Sequence, residues 1–163
     1  MSTKAAVLAV CVIALETFSP PKPRLVWNAS ASAPIGLYFV SHHPASTGDL
    51  VLAKTPDSVH QLAEERRYVP STVPLVKRIA AASGDQICAD KDTVFINGRP
   101  VATRLKTDSE RRPLPIWTGC HVLDHEVFLL MADVPSSFDG RYFGPVPNAS
   151  VVGRLHPLWI HTH

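Results

Sequence analysis

The chain has 163 residues, of which 45% are hydrophobic and 18% are charged, a composition that suits one globular domain and excludes a disordered chain. The formal net charge of +2 is small, and lysine and arginine are scattered along the chain, which argues against a nucleic-acid partner. Fifteen prolines against eight glycines favour extended segments and fixed turns, so we predict a mainly β fold.

The N-terminal segment carries an apolar run at residues 5–15, directly after Lys4. A buried amphipathic helix is the alternative, but the run has no polar face and its length is typical of an export signal. No small-residue cleavage site stands before the prolines, so we predict a signal sequence or membrane anchor over 1–18. The proline-rich residues 19–24 would form an extended spacer, and the folded domain is expected over 25–163.

Strands are expected where apolar residues alternate or run continuously, at 35–40, 49–54, 73–82 and 120–132. An Asn97-Gly98 pair between two extended arms predicts a β-hairpin.

One short helix is expected, within residues 55–68. Thr55 would cap it, and Pro56 suits its first turn. The apolar positions that share one face are Val59, Leu62 and Ala63. We therefore predict a single mostly β domain with one short helix.

Lys77 lies inside the apolar segment 73–82, where a charged side chain is unexpected. Lys77 and Arg78 are adjacent in a predicted strand, so they point to opposite faces and at least one of them meets apolar residues. Burial lowers the pKa of a lysine and would allow it to act as a general base near neutral pH. The alternative is a solvent-facing lysine on an edge strand.

A polar turn at residues 136–145 follows the last long apolar segment. Taken alone, Asp139 and Arg141 would form a surface ion pair that contributes little to stability. The position of the turn after a predicted strand would instead let a rigid scaffold hold its polar groups toward a site.

Cysteine and histidine give no metal-binding pattern. Cys88 and Cys120 fit no zinc spacing, and neither do the paired His42 and His43, so neither a metal nor a cofactor is expected. Export favours a disulfide between the two cysteines, while two buried thiols remain the alternative. A Ser/His/Asp triad also stays open, although no histidine stands in a motif as Lys77 does.

Four short motifs occur in a fixed order: Ser-Ala-Pro at 32–34, KRIAAASGD at 77–85, Ile-Asn-Gly at 96–98 and SFDGRYFG at 137–144. This ordered set resembles the signal peptidase I family, and within it the TraF-type peptidases of conjugative plasmids. The resemblance runs from Asn28 to about Trp159. It implies a signal-peptidase-like β domain and a serine peptidase with a Ser/Lys dyad. Housekeeping members of the family have Ser-Met where this chain has Ser-Ala-Pro.

The resemblance assigns roles to individual residues. It implies that Ser32 is the nucleophile and Lys77 the general base, while the Ser30 hydroxyl and the Ser32 backbone N–H form the oxyanion hole. Three residues of the last motif would support the dyad: Ser137, Asp139 and Arg141.

The resemblance also implies a substrate and a location. The substrate would be an exported precursor, a pilin of the mating apparatus, with an acyl-enzyme resolved by water or by the substrate's own amine. The enzyme would work in the periplasm, tethered to the inner membrane and in contact with a conjugation or secretion apparatus. Two alternatives stay open: a general signal peptidase acting on many preproteins, and a non-catalytic exported β-domain that assists assembly.

Overall fold

The computed structural model describes residues 23–70 and 72–161. The signal or anchor predicted over 1–18 lies outside the described residues, as does most of the spacer predicted over 19–24. No helix within the described part of the chain is both long enough and apolar enough to cross a membrane.

The described residues form two antiparallel sheets and a few short helices, which confirms the mainly β prediction. The larger sheet contains, in spatial order, β1 (Leu25–Asn28), β2 (Gly36–Ser41), β11 (Val151–Ile160), β3 (Leu50–Ala53), β4 (Leu75–Ala81), β9 (Glu126–Leu130) and β10 (Val146–Pro147). The smaller sheet contains, in spatial order, β7 (Arg99–Thr103), β6 (Thr93–Ile96), β5 (Gln86–Asp90) and β8 (Gly119–Val122). The helices are α1 (Asp57–Glu65), α2 (Gly140–Phe143) and a 3₁₀ turn at Asn148–Ser150.

The core lies on both faces of β9. Val127 and Leu129 pack with residues of β3, β4 and β10, whereas Phe128 and Leu130 pack with residues of the smaller sheet. Alternate side chains of a strand point to opposite faces, and both faces of β9 are covered. This explains why the sequence of β9 is apolar at consecutive positions. The smaller sheet is therefore fixed against the strand that leads into the polar turn at 136–145.

Three local predictions are wrong. Residues 120–132 form two strands in different sheets, because the chain bends at Asp124 and His125, the latter with φ of 53°. The α1 helix begins at Asp57 with Pro56 at its N-cap and no side-chain cap, so Thr55 does not cap it. The prediction of one short helix is also wrong, because a second helix, α2, follows β9; its four residues are too few to show a helical period.

The hairpin prediction is confirmed. Asn97 and Gly98 join β6 to β7 with φ values of 50° and 75°, the left-handed conformations that a two-residue hairpin turn needs.

A disulfide links the two sheet-forming cysteines. Cys88 of β5 lies directly opposite Cys120 of β8, and their sulfurs are bonded across a sequence separation of 32. The bond joins the two ends of a segment that includes β6, β7 and the loop that follows β7. Part of that loop, around Leu105 and Leu114, lines the same cleft as Ser30 and Ser32.

Candidate active site

Ser30 and Ser32 lie in the loop that joins β1 to β2, where they line a cleft of about 730 Å³. Ser30 is exposed and Ser32 is half-buried. Their hydroxyl oxygens are 2.9 Å apart, and the backbone N–H of Ser32 donates to the Ser30 hydroxyl oxygen at 3.3 Å. The two hydroxyls and one backbone donor therefore lie within hydrogen-bonding distance of each other.

Lys77 is a buried residue in the interior of the larger sheet. Its strand, β4, pairs with β3 on one side and β9 on the other, and Lys77 is only 4% exposed while Arg78 faces solvent. The edge-strand alternative is therefore wrong. The Lys77 Nζ atom lies 2.8 Å from the Ser137 Oγ and 3.2 Å from the Ser32 Oγ, so three segments of the chain meet at this amine.

The environment of Lys77 favours its neutral form. Burial is the main cause, and it lowers the pKa of the ammonium from the ordinary 10.5 to about 8. The Asp139 carboxylate raises this pKa, while the Arg141 guanidinium lowers it, so the effects of the ion pair oppose each other. A neutral amine beside the Ser32 hydroxyl can accept its proton.

Asp139 and Arg141 form a fully buried ion pair, with side chains 0% and 1% exposed. Two parallel bonds join the guanidinium to the carboxylate, at 2.8 and 2.9 Å. The interpretation of this pair as a surface pair is therefore wrong. The signal in the sequence was ambiguous, because two charges in a polar turn are usually solvated.

The ion pair ties together the loop that carries Ser137. The Arg141 guanidinium also donates to the carbonyls of Met131, Val134 and Pro135, and the Asp139 carboxylate accepts the N–H of Met131 at 3.0 Å. These bonds occupy polar backbone groups of the loop between β9 and α2. They hold the loop in one conformation, and Ser137, which is 3% exposed, is fixed with it.

The glycine at the start of α2 allows the close approach that this loop requires. A Cβ atom on Gly140 would lie 2.6 Å from the backbone oxygen of Leu129. Any side chain here would displace α2 from β9, and Asp139 with it.

Sequence reasoning missed Asn28, the last residue of β1. Its side chain is 5% exposed and bonds to the loop that carries Ser30 and Ser32. An asparagine two positions before a serine at a strand end is typical of an Asx turn, a signal that could have identified it.

The cleft that contains these groups is lined mainly by apolar side chains. They come from β1, β3 and β4 of the larger sheet, from the loop after β7 and from the loop before α2: Val26, Leu52, Val76, Leu105, Leu114 and Phe138. No histidine of the described chain lines the cleft, so the open possibility of a Ser/His/Asp triad gains no support. The described residues also include no group of three or more histidine, cysteine or acidic side chains that could hold a metal ion.

The chain is similar to known proteins over most of its length. Residues 1–159 match the family described as signal peptidase, peptidase S26. A plasmid transfer protein TraF of Escherichia coli is 34% identical over 80% of each chain, and a conjugal transfer protein TraF of Agrobacterium fabrum is 32% identical over 81% of this chain and 80% of its own. A solved signal peptidase I of Enterococcus faecalis covers 71% of this chain and 100% of its own at 22% identity, with a TM-score of 0.42. On the family match and the two curated relatives, the chain belongs to the signal peptidase family and is a serine peptidase.

Proposed function

We propose that this protein is an endopeptidase that cuts an exported precursor polypeptide with Ser32 as nucleophile and Lys77 as general base. The observation that carries the proposal is the 3.2 Å separation between the Lys77 Nζ and the Ser32 Oγ inside an apolar cleft. A general base must lie within about 3.2 Å of the hydroxyl that it activates.

Acylation would proceed in two proton transfers. The Ser32 oxygen attacks the scissile carbonyl carbon while its proton moves to the neutral Lys77 amine. The tetrahedral intermediate then collapses, the peptide C–N bond breaks, and Lys77 returns the proton to the leaving amine. An ester between Ser32 and the N-terminal part of the substrate remains.

The negative charge on the substrate oxygen would be stabilised by the Ser32 backbone N–H and the Ser30 hydroxyl. In the free protein these two groups bond to each other at 3.3 Å. A substrate oxygen placed between them would replace that contact with two stronger bonds, because a hydrogen bond to an anionic oxygen is stronger than one between neutral groups.

Ser137, Asp139 and Arg141 would act as supports. The Ser137 hydroxyl lies closest to the Lys77 Nζ, at 2.8 Å, and would orient the amine toward Ser32. The bidentate bonds from Arg141 to Asp139 offset the charge of a carboxylate that would otherwise favour the protonated lysine.

The names of the relatives support a role in plasmid conjugation, and we propose that the substrate is the precursor of a conjugative pilin. The acyl-enzyme would be resolved by water, giving a linear product, or by the amino group of the pilin itself, giving a circular one. Family membership alone also favours a second candidate, a general signal peptidase, which would use the same groups on many precursors.

We further propose that the domain lies in the periplasm and is tethered to the inner membrane by its N-terminal segment. The disulfide between Cys88 and Cys120 supports an oxidising compartment. An exposed apolar surface next to the start of the described chain supports proximity to lipid: Trp27 of β1 stacks on Trp159 of β11 at 5.6 Å, and both are more than half exposed.

The proposed function is tested by incubating the purified full-length protein, in detergent, with the precursor of a conjugative pilin and measuring product masses. We expect a shortened product with the wild type and none with Ser32→Ala. A circular product would be lighter than the linear one by one water molecule. The control is Ser83→Ala, which removes an exposed hydroxyl outside the cleft. Cleavage by Ser32→Ala at the wild-type rate would overturn the mechanism.

The rate of cleavage should depend on pH through Lys77. Because the base must be neutral and its pKa is lowered to about 8, the single-turnover rate should rise about tenfold per pH unit below pH 8 and level off above it. Circular dichroism over the same range would show that folding does not change. An inflection near the ordinary histidine value of about 6.5 would contradict the assignment of Lys77.

A further inference from the structure

The loop that carries Ser30 and Ser32 is organised by one buried side chain. Asn28 ends β1 and is only 5% exposed, so its amide group needs hydrogen-bond partners within the protein. The Asn28 Oδ1 accepts the backbone N–H of Ser30 at 3.1 Å. The Asn28 Nδ2 faces three backbone carbonyl oxygens of the same loop, those of Ser30 at 3.0 Å, Ala33 at 3.1 Å and Pro34 at 3.1 Å.

The loop depends on these contacts because its own backbone bonding is weak. The turn bond that closes it, from the Ala33 N–H to the Ser30 carbonyl, is long at 3.4 Å. The Tyr38 hydroxyl bonds the Pro34 carbonyl at 2.6 Å, but this contact lies beyond Ser32 on the C-terminal side of the loop. The Asn28 side chain, in contrast, bonds to the backbone both before and after Ser32.

The two groups that would stabilise the substrate oxygen both lie on this loop. One is the hydroxyl of Ser30, and the other is the backbone N–H of Ser32. Ser30 is exposed, so packing does not hold its side chain in place. Donors accelerate a reaction most when they are aimed before the substrate arrives, because no reorganisation is then needed in the transition state.

We propose that Asn28 is a positioning residue, whose amide fixes the backbone between Ser30 and Ala33 so that both donors meet at the carbonyl oxygen of the substrate. Asn28 does not touch the reacting atoms in this scheme. The inference rests on the proposed function and goes beyond it by assigning a role to a residue outside the four motifs.

The test is a double-mutant cycle on peptide cleavage, with Asn28→Ala, Ser30→Ala and both changes together. We expect Ser30→Ala to lower kcat by about 100- to 1000-fold and Asn28→Ala by about 10- to 100-fold, each with KM changed by less than about twofold. Because Asn28 acts partly through the Ser30 hydroxyl, the double variant should lose at least about threefold less than the product of the single losses. Losses that multiply, or a wild-type kcat in Asn28→Ala, would overturn the proposal.

Two further variants separate positioning from general stability. Tyr38→Phe removes the neighbouring bond to Pro34 but leaves Asn28 in place, so we expect a lower melting temperature with kcat unchanged. Asn28→Asp keeps the side-chain shape and the oxygen that accepts the Ser30 N–H. It replaces the donor Nδ2 with a second oxygen, which faces the three carbonyls. If Asn28→Ala does not fold, Asn28→Asp replaces it in the cycle, with the same expected loss of kcat.

Failure of this inference can be distinguished from failure of the proposed function. An inactive Ser32→Ala together with fully active, folded Asn28 variants would overturn only the role of Asn28. An active Ser32→Ala would overturn the proposed function and the role of Asn28 with it.

Discussion

Replacement of Lys77 by methionine is expected to lower kcat for precursor cleavage by at least about four orders of magnitude. Methionine has nearly the same length and fits the apolar surroundings, but it cannot accept the proton of Ser32. The pre-steady-state rate of acylation, measured by quenched flow with a peptide that spans the cleavage site, would report the loss directly.

The same substitution should leave the fold intact. Lys77 is 4% exposed, and removing its charge relieves a desolvation cost that offsets the two lost hydrogen bonds to Ser32 and Ser137. We therefore expect the free energy of unfolding to change by less than about 2 kcal/mol. A loss of activity accompanied by unfolding would show only that Lys77 is structural.

The matched control is Arg78→Met, a change of the neighbouring cation on the same strand. Arg78 points to solvent, where its guanidinium bonds the carbonyl of Gly48. It lies outside the cleft, so kcat should stay within about twofold of the wild type. Equal losses in the two variants would contradict a specific role for Lys77.

Replacement of Arg141 by methionine should lower the free energy of unfolding by about 3 to 5 kcal/mol. The change leaves the Asp139 carboxylate, which is 0% exposed, without its counter-charge. It also removes the donors to the backbone carbonyls of Met131, Val134 and Pro135. Urea denaturation followed by circular dichroism would measure the loss.

An exposed ion pair provides the comparison. Arg154 lies 3.2 Å from Asp49, but its side chain is 44% exposed, so Arg154→Met should cost less than about 1 kcal/mol. If the two substitutions destabilise the protein equally, the burial of the Asp139–Arg141 pair does not account for the stability of the loop between β9 and α2. Activity of Arg141→Met at a temperature where it is folded would then show whether Ser137 still meets Lys77.

Local patterns in the sequence determined much of the sheet. The apolar run around β4 and the alternation in β2 are properties of neighbouring residues, and the Asn97-Gly98 turn requires backbone conformations that few other residue pairs adopt readily. The unusual lysine of β4 was visible for the same reason, because a charge inside an apolar run stands out without any knowledge of its neighbours in space. The division of residues 120–132 into two strands was not predicted, since three polar residues at 124–126 do not by themselves show that the chain passes from one sheet to the other.

Residue patterns along the chain were thus enough to predict its mainly β character, the anomaly at Lys77 and, through the order of four motifs, its resemblance to a family. The contact of the Lys77 amine with Ser32 and Ser137, which lie 45 and 60 positions away, became visible only in the folded chain. The same is true of the burial of Asp139 and Arg141 and of the hydrogen bonds from Asn28 to the serine loop. Burial and hydrogen bonding between distant segments depend on how the sheets pack, and no short stretch of sequence carries that information.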